Sequence, residues 1–372
     1  MKVAIVLNTS WNIYNFRLNL VRTLLQKGFE VHTIAPIDEF THRLIEEGCI
    51  HHNVKMDSRG ANPIRDSALM LELWLIYRKI SPDVILHFTI KPNIYGTLAA
   101  TLLRIPVINN VCGLGTVFLK NDFVSALAIF LYKISFRFAA KVFFQNSDDL
   151  QLFLQKKLVS NRQVDLLPGS GIDLQKFLPL PYKRNKQFTF LLIARLIIDK
   201  GIMEYIDAVK QLNKEGFNAR FQLLGAIDET HKRGIKEKVI NDWIKSGAVE
   251  YLGATTDVRS FIHQADCIVL PSYREGTPRT LLEASSSSKP IVATNVPGCN
   301  HIVENNYNGL LCNLKDSHDL AEKMRVMATL SDDQLKRMGT NGRAKVEAGY
   351  SDFIVIDKYL QAVTCLKQPL GV

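Results

Sequence analysis

The chain is predicted to be an α/β protein of two domains, each a parallel sheet covered by helices on both faces. Three observations lead there. Short, near-continuous apolar runs alternate with amphipathic stretches. The alternation stops near residue 180 and then starts again. And 372 residues exceed the roughly 250–300 at which one hydrophobic core stops growing.

In the first half the strand candidates are VAIVL (3–7), EVHTIA (30–35), DVILHF (83–88), PVINNV (106–111) and KVFFQ (141–145). Between them run helical patterns such as NLVRTLLQKG (19–28), whose closing Gly28 suits a helix stop. PLPYKRNKQ, from Pro179, has the composition of a linker. The second series is FTFLLIA (188–194), RFQLLG (220–225), VEYLG (249–253), CIVLPS (267–272) and PIVATN (290–295). The expected domains are therefore 1–178 and 186–350, with a terminal segment, 351–372, whose helical pattern suits packing back on the first domain. Open parallel sheets bind ligands at the carboxyl ends of their strands, so the cleft between two such sheets is the expected site.

Composition narrows the function classes. Hydrophobic residues make up 47% and charged residues 22% of the chain, ordinary for a soluble protein. The amino-terminal run MKVAIVLNTS is too short for a signal-peptide core, and no stretch reaches the roughly 18–20 apolar residues of a membrane span. The six cysteines are scattered without metal-like spacing, which fits a reducing, cytoplasmic setting. A net charge of +10 implies an acidic partner. No basic run interleaved with aromatics favours nucleic acid, so lipid or phosphate is the better match. A nicotinamide-dependent dehydrogenase would need glycines in the turn after its first strand; NTSWNIYNFR (Asn8 to Arg17) has none.

Three segments follow strands of the second half and open on the same sheet edge: ARLIIDKG, with Arg195 and Lys200; LLGAID; and SYREGTPRTLLEA, with Glu275 and Glu283. Cations, backbone amides and two carboxylates in one pocket suit a diphosphate flanked by hydroxyl-bearing sugars. That is the shape of a nucleotide sugar. Glu283 follows Leu281 and Leu282 and precedes Ala284, so it is expected to be buried, and a buried carboxylate needs partners.

These residues, with PGSGIDLQKF (168–177) and YLGATTDV (251–258), resemble the retaining glycosyltransferases of family 4, which have the GT-B fold of two Rossmann-like domains facing across a central cleft. The resemblance implies that Arg195 and Lys200 hold the diphosphate and neutralise its charge as it leaves. It implies that Glu275 accepts hydrogen bonds from the transferred sugar. Gly276, Thr277 and the neighbours of Pro278 line sugar and phosphate, Thr280 and Leu281 open the helix facing the phosphate, and Glu283 grips the ribose. The catalytic set is thus Glu275, Arg195 and Lys200.

Same-face substitution with retention is implied, in which the departing phosphate oxygen takes the acceptor's proton. No metal is expected. The chain has no DxD, and the pairs Asp148–Asp149 and Asp332–Asp333 read as a helix start and a loop.

The acceptor half is less legible. Asn8 to Arg17, HFTIKPN (87–93, with His87, Lys91 and Asn93) and VCGLGTVFLKND (111–122) are expected to face the cleft. Many family members place a histidine in the third segment; here Asn109, Asn110 and Cys112 stand there, which leaves the donor sugar open. The stretch 123–141, FVSALAIFLYKISFRFAAK, reads either as an interfacial membrane helix with a stripe of Lys133, Arg137 and Lys141 or as a core helix with one wet side. An excess of basic residues through residue 167, 19 against 13 acidic, favours a lipid-facing first domain. Within the family the loops look most similar to bacterial enzymes that extend undecaprenyl-diphosphate-linked sugars, notably the α-1,3-N-acetylgalactosaminyltransferase type.

The resemblance thus implies a UDP-linked donor, with UDP-GalNAc the best match, and a lipid-linked sugar acceptor met by Asn15, Arg17, Lys91, Gly113 and Gly115, with Arg17 and Lys91 the candidate contacts to its diphosphate. It also implies peripheral association with the inner face of the membrane. Two other readings compete: a sugar-nucleotide 2-epimerase of the same fold, and a non-catalytic membrane-associated subunit. Acceptor-dependent nucleotide release separates the transferase from both.

Overall fold

The computed structural model describes residues 1–57, 62–114 and 123–366. The chain divides into two compact units, Met1–Ser170 with Asp352–Val372, and Gly171–Ser351. The division falls upstream of the PLPYKRNKQ segment.

In the first unit β1 (Lys2–Val6), β2 (Glu30–Ile34), β3 (Ile50–His52), β4 (Val84–Phe88), β5 (Val107–Val111), β6 (Lys141–Phe144) and β7 (Val164–Leu166) form one sheet in the order β3-β2-β1-β4-β5-β6-β7. Every pairing is parallel. In the second unit β8 (Phe188–Ile193), β9 (Ala219–Leu224), β10 (Glu250–Tyr251), β11 (Cys267–Leu270), β12 (Ile291–Thr294) and β13 (Gly309–Cys312) are ordered β10-β9-β8-β11-β12-β13, again all parallel. In both sheets the chain order reverses beside the first strand of its unit, the switch point at which doubly wound folds bind ligands. All ten apolar runs are strands. The additions, β3, β7 and β13, are short.

The strands are apolar on both faces because helices cover both. Two core clusters flank each sheet: in the second unit one contains Phe190, Leu192 and Tyr205, the other Leu191, Ile193 and Leu281. Local signals set the helix ends. Thr9 caps the helix Ser10–Gln26 by accepting from the Asn12 amide, and Ser331 with Gln334 forms a capping box on the helix Asp332–Gly349. Asp332 and Asp333 are thus the first turn of a helix, where acids complement the dipole, and not a loop.

The helix Asp352–Cys365 buries Val355, Tyr359 and Val363 in the core of the first unit. Tyr359 packs edge-on against Phe143, with centroids 5.1 Å apart, and takes a hydrogen bond from the Asn110 side chain. Burying a side chain of this size stabilises by roughly 1.5–3 kcal/mol.

The stretch 123–141 is not one helix. An α-helix, Phe123–Ser135, gives way to a 3-10 turn, Phe136–Phe138, and Lys141 begins β6. The basic stripe is therefore Lys133 and Arg137 alone. Tyr132 and Phe136 face the core while Phe130, Lys133, Arg137 and Phe138 are exposed. No described helix is long and apolar enough to cross a membrane.

Candidate active site

The second unit assembles the candidate site at the carboxyl ends of β8 and β11. After β8 the chain passes Arg195 and makes a 3-10 turn, Ile198–Lys200, that ends at Gly201. Gly201 has φ +70°, and a Cβ there would lie 1.9 Å from the Pro271 carbonyl oxygen. Only glycine lets this turn close on the strand end. The closure is fixed by the Tyr273 amide donating to the Asp199 carbonyl at 2.9 Å.

As a result the Lys200 ammonium pairs with Glu275 Oε1, their side chains 21% and 13% exposed. The Ser272 hydroxyl donates to the same carboxylate oxygen at 2.7 Å. Two donors thus converge on Glu275 Oε1. Arg195, by contrast, is exposed and has no ion pair among the described residues.

From the far side the loop after β12 closes on Glu275. A Cβ at Gly298, φ +87°, would lie 2.6 Å from the Glu275 carbonyl and 2.7 Å from that of Gly276. The Glu275 amide donates to the Pro297 carbonyl at 3.3 Å.

The helix Arg279–Ser286 then begins with Pro278 as N-cap and no side-chain cap, leaving its positive end to the site. Thr280 donates its hydroxyl to the Ile193 carbonyl at 3.2 Å, tying the helix to β8. Leu281 is in the core, and its amide donates to the Pro278 carbonyl at 3.1 Å. What Leu281 gives the site is anchorage of the helix rather than a free donor. Glu283 is 9% exposed and accepts from Arg279 Nε at 2.9 Å, one turn earlier. Burial pushes its carboxyl above the usual carboxylate range, and the Arg279 guanidinium opposes that rise.

Glu275, Lys200 and Ser272 thus form one constellation, with Gly276, Thr277 and Pro278 the backbone between it and the helix. Ser272, Arg279 and Gly298 are partners that sequence reasoning did not name. Arg279 had a signal, lying four residues before Glu283 on a helix.

In the first unit two expectations change. His87 does not open on a loop: it is fully buried in β4, with Nε2 2.9 Å from the Tyr77 hydroxyl and Nδ1 3.0 Å from the Asn109 amide oxygen. Burial pushes its pKa down to about 3, so it is a neutral core residue. Asn93 is also buried and donates to the Asn110 carbonyl at 2.8 Å.

Lys91 pairs with the buried Asp66 at 2.8 Å. Arg17 is buried on the ring of Phe88, and the half-exposed Asn15 donates to the Trp11 carbonyl at 2.9 Å. Gly113 is half-exposed with φ +133°. Gly115 lies outside the described residues.

Comparisons with known proteins agree with this architecture. Residues 180–345 match the family model of glycosyl transferases group 1, and residues 2–146 that of glycosyl transferase 4-like proteins. The N,N'-diacetylbacillosaminyl-diphospho-undecaprenol alpha-1,3-N-acetylgalactosaminyltransferase of Campylobacter jejuni is 29% identical, over 97% of this chain and 98% of its own. The UDP-Gal:alpha-D-GlcNAc-diphosphoundecaprenol alpha-1,3-galactosyltransferase of Escherichia coli is 25% identical, over 81% and 80%. Among solved structures, Anabaena HepE in complex with UDP and glucose superposes with a TM-score of 0.81 at 16% identity, over 98% of this chain and 99% of its own. With glycosyltransferase models matching both halves and these folds alongside, the chain is a GT-B glycosyltransferase of the family 4 kind.

Proposed function

We propose that the chain transfers a hexose or N-acetylhexosamine, with GalNAc from UDP-GalNAc the best match, to a hydroxyl of an undecaprenyl-diphosphate-linked sugar, with retention of configuration. Both relatives named above carry diphospho-undecaprenol in their names, and this supports a lipid-linked acceptor used in assembling a surface polysaccharide or glycan. The observation that carries the donor half is the Lys200–Glu275 pair at the carboxyl edge of the second sheet, with Ser272 on the same carboxylate. Glu275 has acceptor capacity left for sugar hydroxyls. Lys200 and Arg195, which has no ion pair among the described residues, supply positive charge where a diphosphate would gain negative charge on leaving. Such preorganised charge acts in the transition state without reorganisation cost.

Glu275 serves poorly as a double-displacement nucleophile. Its carboxylate is engaged by a cation and a hydroxyl, whereas retaining glycosidases place two carboxyl groups about 5 Å apart around the anomeric carbon. Same-face substitution, with the leaving phosphate oxygen accepting the acceptor's proton, asks of the protein only positioning and electrostatics. Arg195 and Lys200 take over the charge neutralisation that a metal would otherwise supply.

The exposed Phe130, Lys133, Arg137 and Phe138 support peripheral association with an anionic membrane face, where a lipid-linked acceptor resides. The test is nucleotide release from UDP-GalNAc with and without an undecaprenyl-diphosphate sugar. Release that requires the acceptor supports the transferase. Acceptor-independent turnover would make it an epimerase, and no turnover with any UDP-sugar would make it a binding subunit.

A further inference from the structure

We infer that Arg17 is a phosphate-anchoring residue of the first unit, its side-on guanidinium fork, Nε and Nη2, donating to a phosphate or diphosphate anion at the carboxyl edge of β4 and β5. The inference deepens the transferase reading above and rests on it for the identity of the anion, but its evidence lies in the other unit.

Arg17 is 5% exposed and has no carboxylate partner among the described residues. Its guanidinium carbon lies 4.7 Å from the centroid of the Phe88 ring, at the end of β4. Nη1 donates to the Phe16 carbonyl at 3.2 Å. Among the described residues Nη2 meets only the Cys112 thiol, at 3.8 Å, and Nε has no partner. The two N–H groups that together bind an oxyanion bidentately are therefore the two that lack an oxygen. A buried cation without a counter-charge is costly, and the sequence keeps one here.

The contrast with Lys91 is informative. That lysine follows closely on the end of β4 at Phe88, yet it is neutralised within the unit by Asp66, whose other carboxylate oxygen accepts from the Tyr95 hydroxyl at 3.2 Å. Of these two cations, only Arg17 has charge to offer an incoming anion.

The surroundings look built for a ligand. Directly after Phe88, Thr89 holds φ +66°, a left-handed conformation that a β-branched residue rarely adopts, and its buried hydroxyl has no partner among the described residues. The helix that follows opens with a π turn, Pro92–Gly96, a feature frequent at functional sites. Cys112 and Gly113, after β5, are half-exposed, so the guanidinium borders residues that solvent reaches. Carboxyl ends of parallel strands are where such folds receive ligands.

The experiment compares wild type with Arg17→Met and Arg17→Lys, with UDP present at saturation so that anion binding at the second unit is blocked. Three probes are titrated: inorganic pyrophosphate, farnesyl diphosphate, and phosphatidylglycerol vesicles; melting is measured in their absence. Arg17→Met removes an uncompensated charge and keeps the stem, so it should melt at or above wild type while losing pyrophosphate affinity about tenfold or more, the worth of a charge-assisted pair. Arg17→Lys keeps the charge but not the fork, and should lose affinity with melting unchanged. It carries the test should the methionine variant fail to fold.

Loss confined to pyrophosphate and farnesyl diphosphate identifies an acceptor diphosphate as the natural anion. Loss confined to the vesicles identifies a lipid headgroup. Unchanged binding of all three probes, or Arg17→Met melting well below wild type with binding intact, would make Arg17 a structural residue and overturn the proposal. Absence of UDP binding by the wild type would instead count against the donor site, leaving the Arg17 comparison to be read on its own.

Discussion

Replacing Lys200 by methionine removes the ammonium and keeps the length and apolar stem of the side chain. Glu275 then retains one donor, Ser272, for a carboxylate whose side chain is 13% exposed. Breaking a fully buried ion pair costs about 3–5 kcal/mol; with both partners partly open to water, about 2 kcal/mol is the expected loss. For a unit spanning Gly171–Ser351, each kcal/mol lowers the melting temperature by about 2–4 °C, so calorimetry should show a drop of about 4–8 °C in the transition of that unit. Adding Glu275→Gln removes the stranded charge and should recover most of the loss, giving a non-additive double-mutant cycle. Activity should not recover. Loss of a preorganised charge that stabilises a leaving group lowers kcat by about 100- to 1000-fold, and glutamine cannot replace it. A Lys200→Met variant that melts within a degree of wild type, or two substitutions whose effects simply add, would refute the idea that this pair organises the site.

Three further outcomes follow from the same geometry. Because burial raises the Glu283 carboxyl above its usual range, the unfolded chain ionises first, and this residue's contribution to stability falls as pH rises through and above the ordinary carboxylate value; the advantage of Glu283→Gln in thermal unfolding should therefore grow with pH, while its affinity for UDP declines. His87, held to about 3 by burial, is neutral in the fold and charged in the unfolded chain, so stability is lost as pH falls from about 6.5 towards 3, by up to about 5 kcal/mol, and His87→Gln should flatten that limb of the acid-unfolding curve. Transfer should persist in excess EDTA; strict dependence on manganese would contradict the assignment of charge neutralisation to Arg195 and Lys200.

The strands were legible because they are apolar on both faces: FTFLLI and CIVL are buried throughout and need no periodicity to be seen. The short strands β3 (IHH) and β7 (VDL) carry histidines or an aspartate at a sheet edge, where one side meets water and the apolar signal disappears. The pairing of Lys200 with Glu275 was legible because each follows closely on a strand of a parallel sheet, and topology brings such residues to one edge. Their partners were harder. That Ser272 reaches Glu275 depends on a turn closed by Gly201 and Gly298, contacts between segments some 70 and 20 residues apart in the chain. The pairing of Lys91 with Asp66 and the capture of His87 by Tyr77 and Asn109 are likewise tertiary. A histidine at the end of an apolar run reads the same whether it lines a loop or sits in the core, and only the neighbouring helix decides.

The donor site is tested most directly by a structure of the protein crystallised with UDP. The account predicts the diphosphate within hydrogen-bond distance of Arg195 and Lys200, and the ribose hydroxyls on the Glu283 carboxylate. UDP bound elsewhere on the second unit, with the Lys200–Glu275 pair untouched and Glu283 still facing only Arg279, would contradict it.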